Sequence, residues 1–175
     1  MKKITTLLLL FICIALSCER DDICSEDTPT TPRMIVEFRD LILTDNPKNV
    51  TGLRVEDFED DTRLLEDFNN VIADQIVLPL DTNRDELGVG ITKYRVYRDY
   101  EVLADGTIEG NPDVITIEYG VEDVYVSRAC GFKTTYKNIV ITIEPDADNW
   151  MLFVAPENDN QTVTNENEIH FTIRH

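Results

Sequence analysis

Residues 139–143 have the sequence Ile-Val-Ile-Thr-Ile, and this stretch decides the fold class. Ile139, Ile141 and Ile143 share one face of an extended chain, because successive side chains of a β-strand point to opposite faces. The alternation therefore predicts a strand with one face in a core. Comparable alternating or apolar runs occupy residues 34–38, 50–55, 91–98, 115–119, 124–132, 151–154 and 169–173.

Residues typical of turns separate these runs. The separating stretches include Asp105-Gly106, Gly110-Asn111-Pro112, Pro145-Asp146 and Asn158-Asp159-Asn160. Short strands separated by such turn residues predict a single all-β domain over residues 34–175. We expect an antiparallel β-sandwich of roughly eight strands, of the immunoglobulin or transthyretin type. A closed barrel is the alternative, because a sequence does not say whether the edge strands meet.

Two runs depart from the simple strand pattern. The run at 76–80 contains Pro79, which lacks an amide hydrogen and so predicts an edge strand or a strand end. Apolar residues between β-like runs recur at a helical spacing, so we expect at most one short helix there. These residues are Leu64, Leu65, Phe68, Val71 and Ile72.

The N-terminal residues predict a lipoprotein precursor. Lys2 and Lys3 precede an apolar run that ends at Leu16, which is shorter than the roughly 20 residues of a membrane span and typical of a signal peptide. Ala15-Leu16-Ser17-Cys18 follows the pattern of a lipobox, so we expect residues 1–17 to be removed and Cys18 to be lipidated. An ordinary signal peptide with a nearby cysteine is the alternative. Residues 18–33 are polar and proline-bearing, as in a tether between a lipid and a domain.

Cysteine usage predicts one disulfide bond. Cys13 would leave with the signal peptide and Cys18 would carry the lipid, so Cys24 and Cys130 remain. An even pair in an oxidising compartment favours a bridge between the two. Two free thiols are the alternative.

Acidic residues outnumber basic ones by a wide margin. The chain has 34 Asp and Glu residues against 16 Lys and Arg residues, and its formal net charge is −18. Binding to nucleic acid requires Lys and Arg side chains that neutralise phosphates. We therefore expect no nucleic-acid partner.

Several segments together resemble a family. The tether has the sequence Cys-Glu-Arg-Asp-Asp-Ile-Cys at 18–24 and Thr-Pro-Thr-Thr-Pro-Arg at 28–33, and Asp-Gln-Ile-Val-Leu-Pro-Leu follows at 74–80 and Cys-Gly-Phe at 130–132. These segments resemble an uncharacterised family of Bacteroidetes-type lipoproteins. The resemblance implies a β-rich lipoprotein of the outer membrane, with an outer-membrane β-barrel protein as a candidate partner and no catalytic residue. Arg20-Asp21-Asp22 also resembles a surface-export signal, so both the periplasmic and the cell-surface face stay open.

Residues suited to nucleophilic catalysis are scarce. Beyond residue 18 the serines are Ser25 and Ser127, and the histidines are His170 and His175. A catalytic triad needs a base held beside the nucleophile by a third group. We expect His170 to lie on the wet face of a strand and His175 to be frayed at the terminus. The sequence therefore predicts no catalytic residue and no enzyme.

The acidic loops do not match a known calcium motif, and we predict no metal or other cofactor. Asp81, Asn83 and Asp85 have the spacing of an EF-hand loop, but Glu86 and Thr92 stand where the loop needs Gly and Glu. The sequence favours a membrane-anchored protein-interaction or structural accessory module for an outer-membrane component. A glycan- or Ca²⁺-binding surface lipoprotein is the alternative. Further acidic clusters are Glu56-Asp57, Glu59–Asp61 and Asp146–Asp148, and a glycan platform would draw on Tyr94, Tyr97, Tyr100, Tyr119, Tyr125 and Tyr136.

Overall fold

The structure is a computed structural model that describes residues 23–25, 28–60 and 63–175. Nine strands form in these residues, and no helix does. The strands are β1 Met34–Arg39, β2 Val50–Asp57, β3 Leu64–Ala73, β4 Gln75–Leu78, β5 Val89–Val102, β6 Ile108–Ser127, β7 Gly131–Ile143, β8 Phe153–Pro156 and β9 Phe171–Arg174.

The strands form two separate sheets, so the predicted β-sandwich is confirmed over the barrel. One sheet has the order β4-β1-β9-β8 and the other the order β3-β2-β5-β6-β7. Every ladder is antiparallel except that of β1 with β9, which runs parallel and pairs Val36 with Phe171. The last strand thus completes the smaller sheet between β1 and β8.

The core lies between the two sheets and follows the period of two. Ile139 is fully buried, and Ile141 and Ile143 are partly buried against the same cluster, as the alternation predicts. Each such side chain stabilises the fold by ~1.5–3 kcal/mol when it is fully removed from water. Residues from both sheets contribute, among them Met34, Val36, Phe38, Ile76 and Ile173 from one and Leu53, Val55, Val96, Ile115 and Ile117 from the other.

Residues 64–72 form no helix, which agrees with the expectation of at most one short helix there. This stretch is the edge strand β3, paired with β2 through Leu53↔Val71 and Glu56↔Leu64. The register shifts three times along this ladder. Each irregularity breaks the period of two, so apolar residues recur at distances that look helical. The prediction for Pro79 is confirmed, because β4 ends at Leu78 and is an edge strand.

Gly110-Asn111-Pro112 is not a turn. It lies inside β6, opposite β5, where the ladder shifts register between Arg98 and Glu101. Gly110 has φ 136°, and a Cβ there would lie 3.0 Å from the Cα of Tyr100. Glycine is therefore required by an irregularity in the ladder. The turn between β5 and β6 is at Asp105-Gly106, as predicted, where Gly106 has φ 85°.

Candidate functional site

The predicted disulfide bond is confirmed. Cys24 and Cys130 are joined with an S–S distance of 2.08 Å and a Cα–Cα distance of 5.0 Å. The bond ties the segment before β1 to the turn between β6 and β7. Cys18, the predicted lipidation site, lies outside the described residues, as do residues 1–17.

The segment that follows the bridge lies against the domain. The amide of Thr134 on β7 donates to Oγ1 of Thr31 at 3.0 Å. The Arg33 guanidinium binds Glu166 at 2.8 Å and holds the pKa of that carboxyl below its ordinary value. Pro32, between these two contacts, is buried. The last residues of the predicted tether therefore reach β1 along the edge of β7.

Three tyrosines of the larger sheet hold the segment that connects the two sheets. Tyr94 on β5, Tyr136 on β7 and Tyr119 on β6 donate their hydroxyls to the carbonyls of residues 79, 80 and 81, respectively. The distances are 2.9 Å for both Tyr136 and Tyr119. We call these side chains the tyrosine cluster. Three of the six tyrosines considered for a glycan platform are thus used inside the fold.

Burial makes the hydroxyl groups of the tyrosine cluster less acidic. The rings of Tyr119 and Tyr136 pack edge to face with centroids 5.1 Å apart, and both side chains are about 1% exposed. Removal from water disfavours the phenolate, so the pKa of Tyr136 rises to about 12. The same cause raises the pKa of Tyr94 and Tyr119.

The segment held by the cluster forms one wall of an open cleft of about 950 Å³. The other walls are the end of β2 with its following loop, and the first residues of β5. We call it the β2–β5 cleft. Its described lining residues are Asp57, Glu59, Asp60, Arg63, Pro79, Leu80, Asp81, Thr82, Asn83, Ile91, Thr92, Lys93 and Tyr94.

The lining of the β2–β5 cleft is mainly polar and charged. Arg63 pairs with Asp57 at 3.3 Å, and Lys93 reaches Glu144 at 2.8 Å. None of the described lining residues is a serine, cysteine or histidine. Such a surface suits a hydrated ligand that binds through hydrogen bonds.

Residues of three of the acidic clusters considered for calcium line this cleft, and carboxylates of two of these clusters accept amides of their own turns. Oδ1 of Asp81 accepts the amide of Asn83 at 2.9 Å, and Oδ1 of Asp57 accepts the amide of Glu59 at 2.9 Å. Asp85 accepts two further amides in its own loop. In the described part of the chain, no three His, Cys, Asp or Glu side chains are grouped so that they could hold a metal ion.

The expectation that His170 is exposed is wrong. The side chain is fully buried, and its Nδ1 accepts the amide of Ile35 at 2.9 Å. The residue precedes β9, which has β1 on one edge and β8 on the other. The partner of its ring, Ile35, lies 135 residues earlier in the chain, so a local sequence pattern does not predict this burial.

His175 is also packed, contrary to the expected fraying. Its ring makes edge contacts with Phe38 and Trp150, with centroids 5.9 and 5.4 Å apart. The amide of His175 donates to the carbonyl of Arg39 at 3.1 Å, which extends the pairing of β9 with β1. Burial lowers the pKa of both His170 and His175.

We expect the domain to lose stability as the pH falls below about 6.5. Because the folded-state pKa of both histidines lies below 6.5, the unfolded chain binds more protons than the folded chain on acidification. The loss is at most ~1.4 kcal/mol per pH unit for each histidine. Urea unfolding between about pH 7.5 and about pH 5.5 measures it, a window above the titration of ordinary carboxyls. The His170→Gln variant keeps an acceptor for Ile35 and should flatten the slope. An equal slope in both proteins would show that His170 does not contribute.

Asp113 is a buried carboxylate that the sequence did not single out. It is 0% exposed, and one of its oxygens accepts the amides of Trp150 and Met151 at 3.0 and 2.8 Å. Burial raises the pKa of Asp113. The residue fixes the loop between β7 and β8, and no local sequence signal marks it, because its partners follow more than thirty residues later.

Comparison with known proteins gives a family and no function. No match was found among curated proteins, and none was found among solved structures. Over the described residues, no helix is long and apolar enough to cross a bilayer. One family model matches residues 49–175, which include β2 to β9 and the β2–β5 cleft. The chain therefore belongs to this family of unknown function, DUF6452.

Proposed function

We propose that the protein is a lipoprotein of the Bacteroidetes type, anchored in the outer membrane through Cys18, whose β-sandwich acts as a protein-interaction or structural accessory module. The observation that carries the proposal is the bond between Cys24 and Cys130. Disulfides persist in oxidising compartments outside the cytoplasm, which agrees with export through the signal peptide at residues 1–17. The head faces the periplasm or the cell surface.

The same bond limits how far the head can stand from the proposed anchor. Cys24 lies six residues after Cys18, so even a fully extended chain spans only about 20 Å between them. The head is thereby confined close to the membrane plane. Confinement raises its effective concentration toward a partner in the same membrane, so a weak contact is enough. An outer-membrane β-barrel protein is such a partner.

The lining of the β2–β5 cleft supports an accessory role over catalysis. Acyl transfer needs a nucleophile beside a base, and the described lining has Thr82, Thr92 and Tyr94 as its only hydroxyl side chains. Both Thr92 and Tyr94 are occupied, the first by Tyr119 and the second by the carbonyl of Pro79. We propose that the protein is not an enzyme.

The test is crosslinking in native envelopes with the full precursor and a Cys18→Ala variant. We expect the wild-type protein to carry acyl groups on Cys18, to sediment with membranes and to crosslink to an outer-membrane β-barrel protein. The Cys18→Ala variant should lose the acyl groups and the crosslink together. A matched Cys13→Ala variant, altered in the signal peptide instead, should behave as the wild type.

The two parts of the proposal fail separately. An unmodified Cys18 in the mature protein would refute the anchor. An acylated protein that crosslinks to no outer-membrane protein would refute the accessory role and leave the anchor standing. Glycan or Ca²⁺ binding is the second candidate, favoured by the open polar cleft, and a rise in the unfolding temperature with neutral oligosaccharides or Ca²⁺ would support it.

A further inference from the structure

The β6–β7 hairpin extends beyond the rest of its sheet. β5 pairs with β6 only as far as Val89↔Gly120, whereas β6 and β7 continue to pair up to Ser127↔Gly131. We call residues 124–133 the hairpin tip. It is the part of the larger sheet that carries Cys130 and hence the bond to the N-terminal segment.

The hairpin tip exposes an aromatic pair. Tyr125 and Phe132 lie directly opposite each other in the ladder, with ring centroids 5.5 Å apart. Tyr125 is 60% exposed and Phe132 is 68% exposed. The period of two places them on the face of Val121 and Tyr136, which are buried in the core. Asp123 and Thr134 lie between the two pairs on this face, so Tyr125 and Phe132 form a separate exposed apolar patch at the tip.

The hairpin tip itself is positively charged in an acidic chain. Residues 124–133 contain Arg128 and Lys133 and no acidic residue, and the two acids that directly precede them, Glu122 and Asp123, are paired with Lys137 and Arg84. Cationic side chains are drawn to anionic headgroups by ~1 kcal/mol each. The acidic remainder of the head is repelled by the same surface. The charge distribution therefore favours one orientation, with the hairpin tip toward the lipid.

The opposite end of β6 provides a contrast. Val102 and Ile108 form another opposed pair there, 55% and 59% exposed. Their neighbours are Glu101, which pairs with Glu109, and Asp105 in the turn. Exposed apolar residues thus occur at both ends, and only the end bonded to Cys24 combines them with positive charge.

We propose that the hairpin tip inserts Tyr125 and Phe132 into the headgroup region of the bilayer that holds Cys18. The proposal rests on the lipid anchor of the proposed function. The approximate 20 Å limit between Cys18 and Cys24 keeps the tip within reach of that surface. Aromatic side chains are favoured at the membrane–water interface. The contact orients the head relative to the bilayer.

The experiment places a tryptophan at the tip of the full lipidated protein. The Phe132→Trp and Ile108→Trp variants are reconstituted in phosphatidylethanolamine–phosphatidylglycerol vesicles whose acyl chains carry bromine near the headgroups. The natural Trp150 is 2% exposed and gives the same background in both. An interfacial side chain lies ~5–10 Å deep, so bromine should quench the emission added by Phe132→Trp about twofold and leave that of Ile108→Trp unchanged.

Flotation of the same vesicles separates the possible failures. Protein that does not float with the lipid refutes the anchor and this proposal with it. Protein that floats while Phe132→Trp is quenched no more than Ile108→Trp overturns the insertion alone, and means that the pair stabilises the hairpin or meets a protein. Both substitutions replace an exposed apolar side chain, and equal unfolding midpoints of the two variants verify that the fold is kept.

Discussion

Replacement of Tyr136 by alanine is expected to lower the free energy of unfolding by about 3–5 kcal/mol, the range measured for large aromatic side chains in cores. Tyr136 is 1% exposed and packs on Tyr119, so truncation removes apolar contact and leaves a cavity. It also leaves the buried carbonyl of Leu80 without its donor. Urea unfolding followed by far-ultraviolet circular dichroism measures the loss.

Two further substitutions separate the contributions. Tyr136→Phe removes only the hydroxyl and is expected to cost about 1–2 kcal/mol, the range for one buried hydrogen bond with its unpaired partner. Tyr125→Ala makes the same truncation at a position that is 60% exposed, and we expect at most ~1 kcal/mol from the lost pair with Phe132. If Tyr136→Ala cost no more than Tyr125→Ala, the tyrosine cluster would not support the fold.

The tyrosine cluster is expected to contribute this much to stability because its acceptors, the carbonyls of residues 79–81, lie in the connection between the two sheets. Residues 79–81 leave β4 in the smaller sheet and approach β5 in the larger one. A connection between sheets has no ladder of its own, so its carbonyls need other donors. Three neighbouring strands supply one hydroxyl each. The same segment is a wall of the β2–β5 cleft, so loss of the cluster should also loosen the cleft.

Local patterns predicted the strands well, and partner-dependent features poorly. The alternation at 115–119 and 139–143 needs only the period of a strand, and both stretches are buried as predicted. The bulged pairing of β3 and the irregularity at Gly110 depend on the opposite strand, which a local pattern does not contain. The burial of His170 likewise depends on distant residues such as Ile35, which a local pattern does not contain.

The sequence predicted the part of the candidate site that depends on residue type alone and missed the part that depends on how the strands pair. Counting the cysteines that remain after the predicted signal peptide and lipidation site led to the pair Cys24 and Cys130. The tyrosine cluster joins Tyr94, Tyr119 and Tyr136, which come from three strands and meet through their registers. Lipidation of Cys18 stays a prediction, because that residue lies outside the described part of the chain.

Removal of the disulfide bond by Cys24→Ala with Cys130→Ala is expected to destabilise the domain by about 2–4 kcal/mol. The two cysteines are 106 residues apart, and closing so long a loop in the unfolded chain corresponds to ~4–5 kcal/mol of lost chain entropy. The expected loss of stability is smaller than this amount, because the folded state also gains conformational freedom when the bond is removed. Without the bond, the residues near Cys24 can detach from the hairpin tip and regain conformational freedom.

How much conformational freedom the folded state regains depends on the contacts that still hold the N-terminal segment on the domain. The ion pair of Arg33 with Glu166 is partly exposed and contributes at most ~1 kcal/mol, and Thr31 contributes one hydrogen bond. These contacts hold residues 31–33 and leave the part before them free. We therefore expect faster hydrogen exchange at the amide of Thr134 in the double variant, because its acceptor Thr31 opens more often.

Urea unfolding of the double variant measures the loss, and Arg33→Gln is its control, because it weakens the docked segment while the bond stays intact. We expect Arg33→Gln to cost at most ~1 kcal/mol. A double variant as stable as the wild type would mean that the denatured chain is not restrained by the bond. It would leave the argument for the hairpin tip unchanged, since that argument rests on the covalent link of Cys130 to Cys24 and not on its contribution to stability. A loss of the expected size, with Thr134 exchanging faster, would show that one covalent bond both stabilises the sandwich and keeps the segment after Cys24 docked on β7.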